Sequence, residues 1–233
     1  MQIKNVFLTN KRIDEVLLAS NNWIYYSEFA SIYAMNTTNG NVKSSYTSMY
    51  ASGPMALHPS ESSIYSYPLY TSGGIYKFTL SNGFAQEVHY KSSSMKFWIS
   101  AEGERLYKAG CEVLNLSNNV DNDLTYNSIL SGMSYNSIYS LADTKIGNKI
   151  CAIPAVSKNT LYVLDYNYFN LRKKYDLEKF VVYRNTTGTK LFNGEGKYVF
   201  ISNDGKKAYV LLQATSDSGL LYDWAIQKID LTD

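Results

Sequence analysis

The residue types that could carry out chemistry in this chain are few, and carboxylates come first. Asp14, Glu15 and Asp143 lie within or beside short apolar stretches that alternate as inner strands would. Cleavage of a glycosidic bond needs two or three carboxylates around one pocket, to serve as general acid and as base or nucleophile. These three do not form a matched set at equivalent positions, so a catalytic site is not the favoured interpretation.

Sequence signatures of other enzyme classes are absent. The chain contains no G-x-S-x-G, H-E-x-x-H, C-x-x-C or G-x-G-x-x-G motif. His58 is interpreted as a structural imidazole, and Asp121–Asp123 as a polar turn, because the Gly and distal Glu of a calcium loop are missing. Cys111 and Cys151 have apolar, strand-like neighbours and are predicted to be buried free thiols. We therefore predict no catalytic residue, no metal site and no cofactor.

Tyrosine is the residue type best suited to recognition here, with 22 copies against 9 Phe and 3 Trp. Its flat apolar ring has few rotors to freeze, and its hydroxyl fixes orientation, which suits the C–H faces and hydroxyls of sugars. Tyrosine and serine recur together at intervals of 40 and 45 residues from Tyr50 to Tyr90 and Tyr135. The predicted ligand-binding residues are Tyr50, Ser52, Tyr70, Tyr90, Ser92, Tyr135 and Ser137.

A second interpretation of the tyrosines is structural. Tyr65, Tyr107 and Tyr209 fall inside alternating apolar stretches, and we predict that they pack between sheets. For the tyrosines outside such stretches, recognition and packing both stay open.

The elements that must position these residues are strands in a repeat with a period in the forties. Each copy has an apolar strand, a tight polar turn, an aromatic strand and a third strand ending in a polar turn. Tyr25, Tyr65 and Tyr107 occupy corresponding second strands at intervals of 40 and 42 residues. The five copies begin near Val16, Met55, Lys96, Ser140 and Lys197.

Repeated four-stranded sheets of about 40–45 residues predict an all-β fold, a β-propeller, because a ring of sheets protects the strand edges. The 233 residues favour five blades of four antiparallel strands in a single domain over residues 1–233. Leu171–Phe180 is interpreted as an outer strand plus loop. The last unit then has only three strands, so we predict that Gln2–Thr9 pairs beside the strand ending at Leu231 and closes the ring. A fragment of a six- or seven-bladed ring is the alternative.

Two segments resemble known propeller repeats. Thr160–Asp165 (TLYVLD) is similar to the LYVxD strand of YVTN-type repeats, and residues 31–40 (SIYAMNTTNG) are similar to the VYALDxxTG strand and turn of quinoprotein-like repeats. The chain thus resembles this bacterial propeller superfamily as a repeat pattern, which implies the fold and a bacterial source. The tryptophan-docking residues of quinone-cofactor enzymes are not evident, so the resemblance implies no cofactor.

Composition narrows the partners. The 22 Lys and Arg against 20 Asp and Glu give a net charge of +2, which argues against a dedicated nucleic-acid or membrane-surface binder. No stretch approaches the ~18 consecutive apolar residues of a membrane span. The abundance of Asn, Ser, Thr and Tyr favours an extracellular, periplasmic or cell-surface location, with a signal peptide missing from this sequence; a cytoplasmic location stays open.

These observations favour a non-catalytic binding module that recognises a carbohydrate or a protein partner with one rim of the propeller. A scaffold for protein assembly belongs to the same class. The alternative from another class is a glycan-active hydrolase or lyase with a carboxylate site at the channel mouth. The sequence does not predict an oligomeric state.

Overall fold

A computed structural model describes residues 15–18, 22–28, 31–45, 54–67, 74–91, 96–133, 137–184, 188–221 and 223–231. Within these ranges the chain forms β-strands and one short 3-10 helix, Ser216–Ser218, and has no α-helix. No described helix is long and apolar enough to cross a membrane. The fold is an all-β propeller of five four-stranded antiparallel sheets, as predicted.

Each sheet is a meander in which strands adjacent in sequence are neighbours in space. The first sheet contains β1 (Glu15–Leu18), β2 (Trp23–Glu28), β3 (Ser31–Asn36) and β4 (Val42–Ser45). The second contains β5 (Met55–Leu57), β6 (Ser63–Ser66), β7 (Ile75–Ser81) and β8 (Phe84–Lys91). The third contains β9 (Phe97–Ile99), β10 (Arg105–Lys108), β11 (Glu112–Asn115) and β12 (Thr125–Ile129). The fourth contains β13 (Ile138–Thr144), β14 (Lys149–Pro154), β15 (Thr160–Asp165) and β16 (Leu171–Asp176). The fifth contains β17 (Lys179–Arg184), β18 (Gly188–Ile201), β19 (Lys207–Ala214) and β20 (Trp224–Asp230).

The chain divides into two compact units, one of Met1–Ile99 with Leu116–Leu124 and one of Ser100–Asn115 with Thr125–Asp233. Each unit has its own core of alternating strand residues, since successive side chains of a strand point to opposite faces. The first core contains, among others, Tyr25, Ile32, Ala34, Ile64 and Phe78. The second contains, among others, Cys151, Ile153, Leu161, Val210 and Leu212. The single domain over residues 1–233 stays a prediction.

The fifth sheet has one strand more than predicted, because Lys179–Arg184 forms β17. β17 pairs with residues 188–193 of β18, whereas β19 pairs with residues 194–201. Over Gly194–Ile201, the described strands that run side by side are therefore β18, β19 and β20. The premise that the last unit has three strands of its own is corrected to four, and the predicted closing strand Gln2–Thr9 lies outside the described residues.

Several local predictions are confirmed. Cys111 and Cys151 are buried free thiols. His58 Nδ1 lies 2.7 Å from Ser60 Oγ within the turn between β5 and β6, which is a structural role. The Asp121–Asp123 segment is a turn between β11 and β12.

Candidate functional site

The predicted tyrosine–serine rim falls mostly outside the described residues, which leave out Tyr50, Ser52, Tyr70, Ser92 and Tyr135. Of the two that are described, Ser137 is exposed, and its carbonyl oxygen accepts a 2.7 Å hydrogen bond from the Ala155 N–H. Tyr90, predicted to bind ligand at the rim, has its backbone in β8, where it pairs with Tyr76. The strand continues to Lys91, which the polar composition of this segment did not indicate. The rim stays a prediction.

Two strand tyrosines are structural, as predicted. Tyr65 and Tyr107 are fully buried. The Tyr65 hydroxyl donates to Asp123 Oδ1 at 3.2 Å, and the Tyr107 hydroxyl donates to Asp143 Oδ2 at 3.0 Å. Burial, aided by these carboxylates, raises the pKa of both phenols. Each pair satisfies a polar group inside a core, where an unpaired hydroxyl would be costly.

Asp143, one of the carboxylates that could have been catalytic, belongs to this structural set. Its Oδ1 accepts from the Ala101 N–H at 2.9 Å, and its Oδ2 accepts from Tyr107. Burial raises its pKa to about 6, although these two hydrogen bonds oppose the shift. Asp14 lies outside the described residues, and Glu15 is described only as part of β1. Both oxygens of Asp143 therefore have partners within the fold.

We expect Asp143 to make the protein more stable at pH 5 than at pH 7. A carboxyl with a raised pKa in the folded state contributes stability at low pH, and that contribution is lost as pH rises from about 4 through about 6. Between pH 7 and pH 5 the difference is about 1 kcal/mol. Urea unfolding of the wild type and of Asp143→Asn at both pH values isolates this contribution. Parallel pH dependences of the two proteins would refute it.

The fifth sheet has an apolar face that is exposed in the described part of the chain, here called the fifth-sheet face. It consists of Tyr198, Phe200, Tyr209, Trp224 and Ile226, all of which are exposed. The register places them together: Phe200 lies opposite Tyr209, and Tyr198 and Ile226 lie on either side of Leu211. The opposite face of the same strands is the buried core that includes Val199, Val210, Leu212 and Ile229.

Tyr209 shows how this face differs from the other sheets. It was predicted to pack between sheets like Tyr65 and Tyr107, but 38% of it is exposed, whereas they are fully buried. The prediction is wrong for Tyr209, because the described residues leave its side of the sheet partly exposed. Contiguous exposed apolar residues of this kind mark interaction sites more often than scattered ones do.

The edge of the fifth sheet is also poorly protected. β20 is the last strand in the sheet order and begins Trp224-Ala225-Ile226, with all three residues exposed. The corresponding edge strand β16 carries Arg172, Lys173 and Lys174, charges that discourage edge-to-edge pairing. β20 has two charged residues, Lys228 and Asp230, both near its C-terminal end, and no proline. An extended polypeptide can therefore pair with β20 at little electrostatic cost.

The remaining chemistry of the described residues gives no metal centre, because no group of three His, Cys, Asp or Glu among them could hold a metal ion. Asp165, the last residue of the TLYVLD segment, is structural. Its Oδ1 accepts from the N–H groups of Asn167 and Tyr168, and its Oδ2 pairs with Arg172. Burial by itself would raise the pKa of Asp165, but these interactions outweigh it and lower the pKa.

Comparisons with known proteins agree with the fold. No family model matches the sequence, and no curated protein matches it. Among solved structures, Hsv2 of Kluyveromyces lactis is similar with a TM-score of 0.56 and 14% identity, over 98% of this chain and 76% of that one. The β-propeller domain of Cps50 (Swd1) of Myceliophteria thermophila is similar with a TM-score of 0.63 and 8% identity, over 98% of this chain and 74% of that one. At these identities the likeness shows a β-propeller, and the resemblance to YVTN-type repeats stays a prediction.

Proposed function

We propose that this propeller is a non-catalytic binding module that takes up an extended polypeptide segment of a protein partner along β20 and the fifth-sheet face. The observation that carries the proposal is the set of five exposed apolar side chains on adjacent strands of one sheet. Aromatic side chains in contiguous positions are typical anchors of protein interfaces.

The geometry of β20 specifies the chemistry of the partner. A strand added to a sheet edge forms main-chain hydrogen bonds, and its alternate side chains lie on one face. Partner residues at those alternate positions would lie beside Trp224 and Ile226, so they should be apolar. Lys228 follows on the same face opposite Tyr209, and it favours an acidic partner residue at that end.

A displayed library of random twelve-residue peptides, selected on the wild-type protein, tests this proposal. We expect the enriched peptides to alternate apolar and polar residues. Ile226→Lys should weaken the binding of these peptides at least ~tenfold, because it places a charge in the centre of the fifth-sheet face. Binding of synthetic copies to the wild type and the variant, measured by fluorescence anisotropy, gives the ratio.

Ile146→Lys is the matched control, because Ile146 is 71% exposed and Ile226 is 73% exposed, but Ile146 lies in the turn between β13 and β14 and is not part of the fifth-sheet face. Peptides that bind both variants equally would contradict the proposal, as would enrichment without alternation. A wild-type dimer that Ile226→Lys converts to a monomer would show that the face binds a second copy instead, and would also contradict it.

A further inference from the structure

The unit formed by Met1–Ile99 and Leu116–Leu124 contains a cavity of about 420 Å³. Its size falls within the ~300–1,000 Å³ typical of small-molecule sites. The cavity uses none of the residues of the fifth-sheet face. It is lined by Ser62, Ser63, Lys77, Thr79, Ser117, Asn118, Val120 and Asp123.

The floor of the cavity is a buried ion pair. Lys77 and Asp123 are both buried, and Lys77 Nζ lies 3.5 Å from Asp123 Oδ2. The same ammonium donates to the Ser117 carbonyl oxygen at 2.7 Å and lies 5.4 Å from the centre of the Tyr65 ring. An ammonium has three N–H donors. The ion pair with Asp123 and the hydrogen bond to Ser117 account for two of them, and the longer contact with the Tyr65 ring leaves the third available to a ligand.

The Asp123 carboxylate is held in place by hydrogen bonds to its Oδ1 atom. Asp123 Oδ1 accepts from the Ser117 N–H at 2.8 Å and from the Tyr65 hydroxyl at 3.2 Å. Oδ2 contacts only Lys77 among the hydrogen-bond and ion-pair partners found for it, and it keeps acceptor capacity. The floor therefore offers one oriented donor and one oriented acceptor close together, with little freedom to lose on binding.

The mouth of the cavity has a different character. Ser62, Thr79, Asn118 and Val120 are exposed, and they supply hydroxyls, an amide and one aliphatic surface. Hydroxyls and amides both donate and accept, so they suit a ligand that carries many hydroxyl groups. Val120 can pack against an aliphatic C–H face.

We infer that this cavity binds a neutral, polyhydroxylated small molecule, a single sugar residue. Lys77 and Asp123 cancel in charge, so neither a phosphate nor a cation gains a net electrostatic attraction. A sugar hydroxyl can donate to Asp123 Oδ2 while a neighbouring sugar oxygen accepts from Lys77. The sugar is either a free monosaccharide or the end of a glycan chain, since both present the same groups.

Ligand-detected NMR with D-glucose, D-galactose, D-mannose and N-acetyl-D-glucosamine tests the inference, with inorganic phosphate and acetate as charged probes. We expect at least one of the four sugars to bind with a Kd of about 0.1–10 mM, the range of one small polar ligand. Thr79→Tyr should weaken the binding of that sugar at least ~tenfold, because the tyrosine ring would occupy the mouth of the cavity. The same sugar at the non-reducing end of a trisaccharide distinguishes the two sources: tighter binding of the trisaccharide indicates a glycan end, and equal or weaker binding a free sugar.

Thr189→Tyr is the matched control, because Thr189 is also an exposed strand threonine and does not line the cavity. It should leave sugar binding unchanged, and the melting temperatures of both variants should show that each is folded. The inference is overturned if none of the sugars binds, if phosphate or acetate binds more tightly than every sugar, or if the two threonine variants weaken binding equally.

Discussion

Replacing Gly205 with alanine should destabilise the protein by about 3 kcal/mol. Gly205 has φ of +68°, a conformation that strains residues with a side chain. A Cβ built on Gly205 would also lie 2.6 Å from the Cα of Gly147, and one built on Gly147 would lie 2.4 Å from the Cα of Gly205. Both obstacles are backbone atoms, so no side chain can rotate away to make room.

The contact joins two turns within one unit. Gly147 lies between β13 and β14, and Gly205 lies between β18 and β19. The Thr144 hydroxyl donates to the Asn203 carbonyl oxygen at 2.6 Å across the same contact. An added methyl group would separate the turns and stretch this hydrogen bond, so the clash adds to the backbone strain.

Gly219→Ala separates the effect of the backbone strain from the effect of the clash. Gly219 has φ of +63°, close to that of Gly205, and a Cβ there meets nothing within 4 Å. Its alanine variant should incur only the backbone strain and lose about 1 kcal/mol of unfolding free energy. Urea unfolding of the two alanine variants gives the difference. Equal losses would mean that the two turns do not touch in solution.

The parts of the fold that were predicted correctly follow from local patterns in the sequence. Alternation of apolar residues and a tyrosine repeated every 40 or 42 residues placed β2, β6 and β10 correctly, because the period of two is a property of each strand by itself. β17 was missed because its first residues, Lys179 and Phe180, end a segment with charges on every face. The strand is recognisable only with its partner, residues 188–193 of β18.

The candidate sites depend on contacts that no local pattern specifies. Tyr209 has the strand context of Tyr107, and its exposure depends on whether another element covers the sheet. Lys77 is an ordinary lysine in an aromatic strand, and its partner Asp123 follows 46 residues later. The Asp121–Asp123 run was recognised as a turn, but nothing in its sequence indicated that only the last carboxylate would be buried.

The second large effect is expected at that buried pair. Asp123→Ala should cost about 3–5 kcal/mol of unfolding free energy, because it leaves the Lys77 ammonium buried without a counter-charge. It also removes the acceptor of the Tyr65 hydroxyl and of the Ser117 N–H. Adding Lys77→Met to Asp123→Ala should recover part of the loss, because the double variant has no unpaired buried charge.

Glu104→Ala is the comparison that shows burial to be the cause. Glu104 pairs with Lys145 at 2.6 Å, a shorter distance than that between Lys77 and Asp123, but both side chains are half exposed. An exposed pair contributes about 0–1 kcal/mol, since water solvates the charge that remains. Urea unfolding of the three variants beside the wild type gives the ranking. Two results would contradict this prediction: a loss for Asp123→Ala no larger than that for Glu104→Ala, or a double variant less stable than Asp123→Ala alone. Either would mean that Lys77 and Asp123 are solvated in solution, and the cavity would then have no rigid charged floor to orient a ligand.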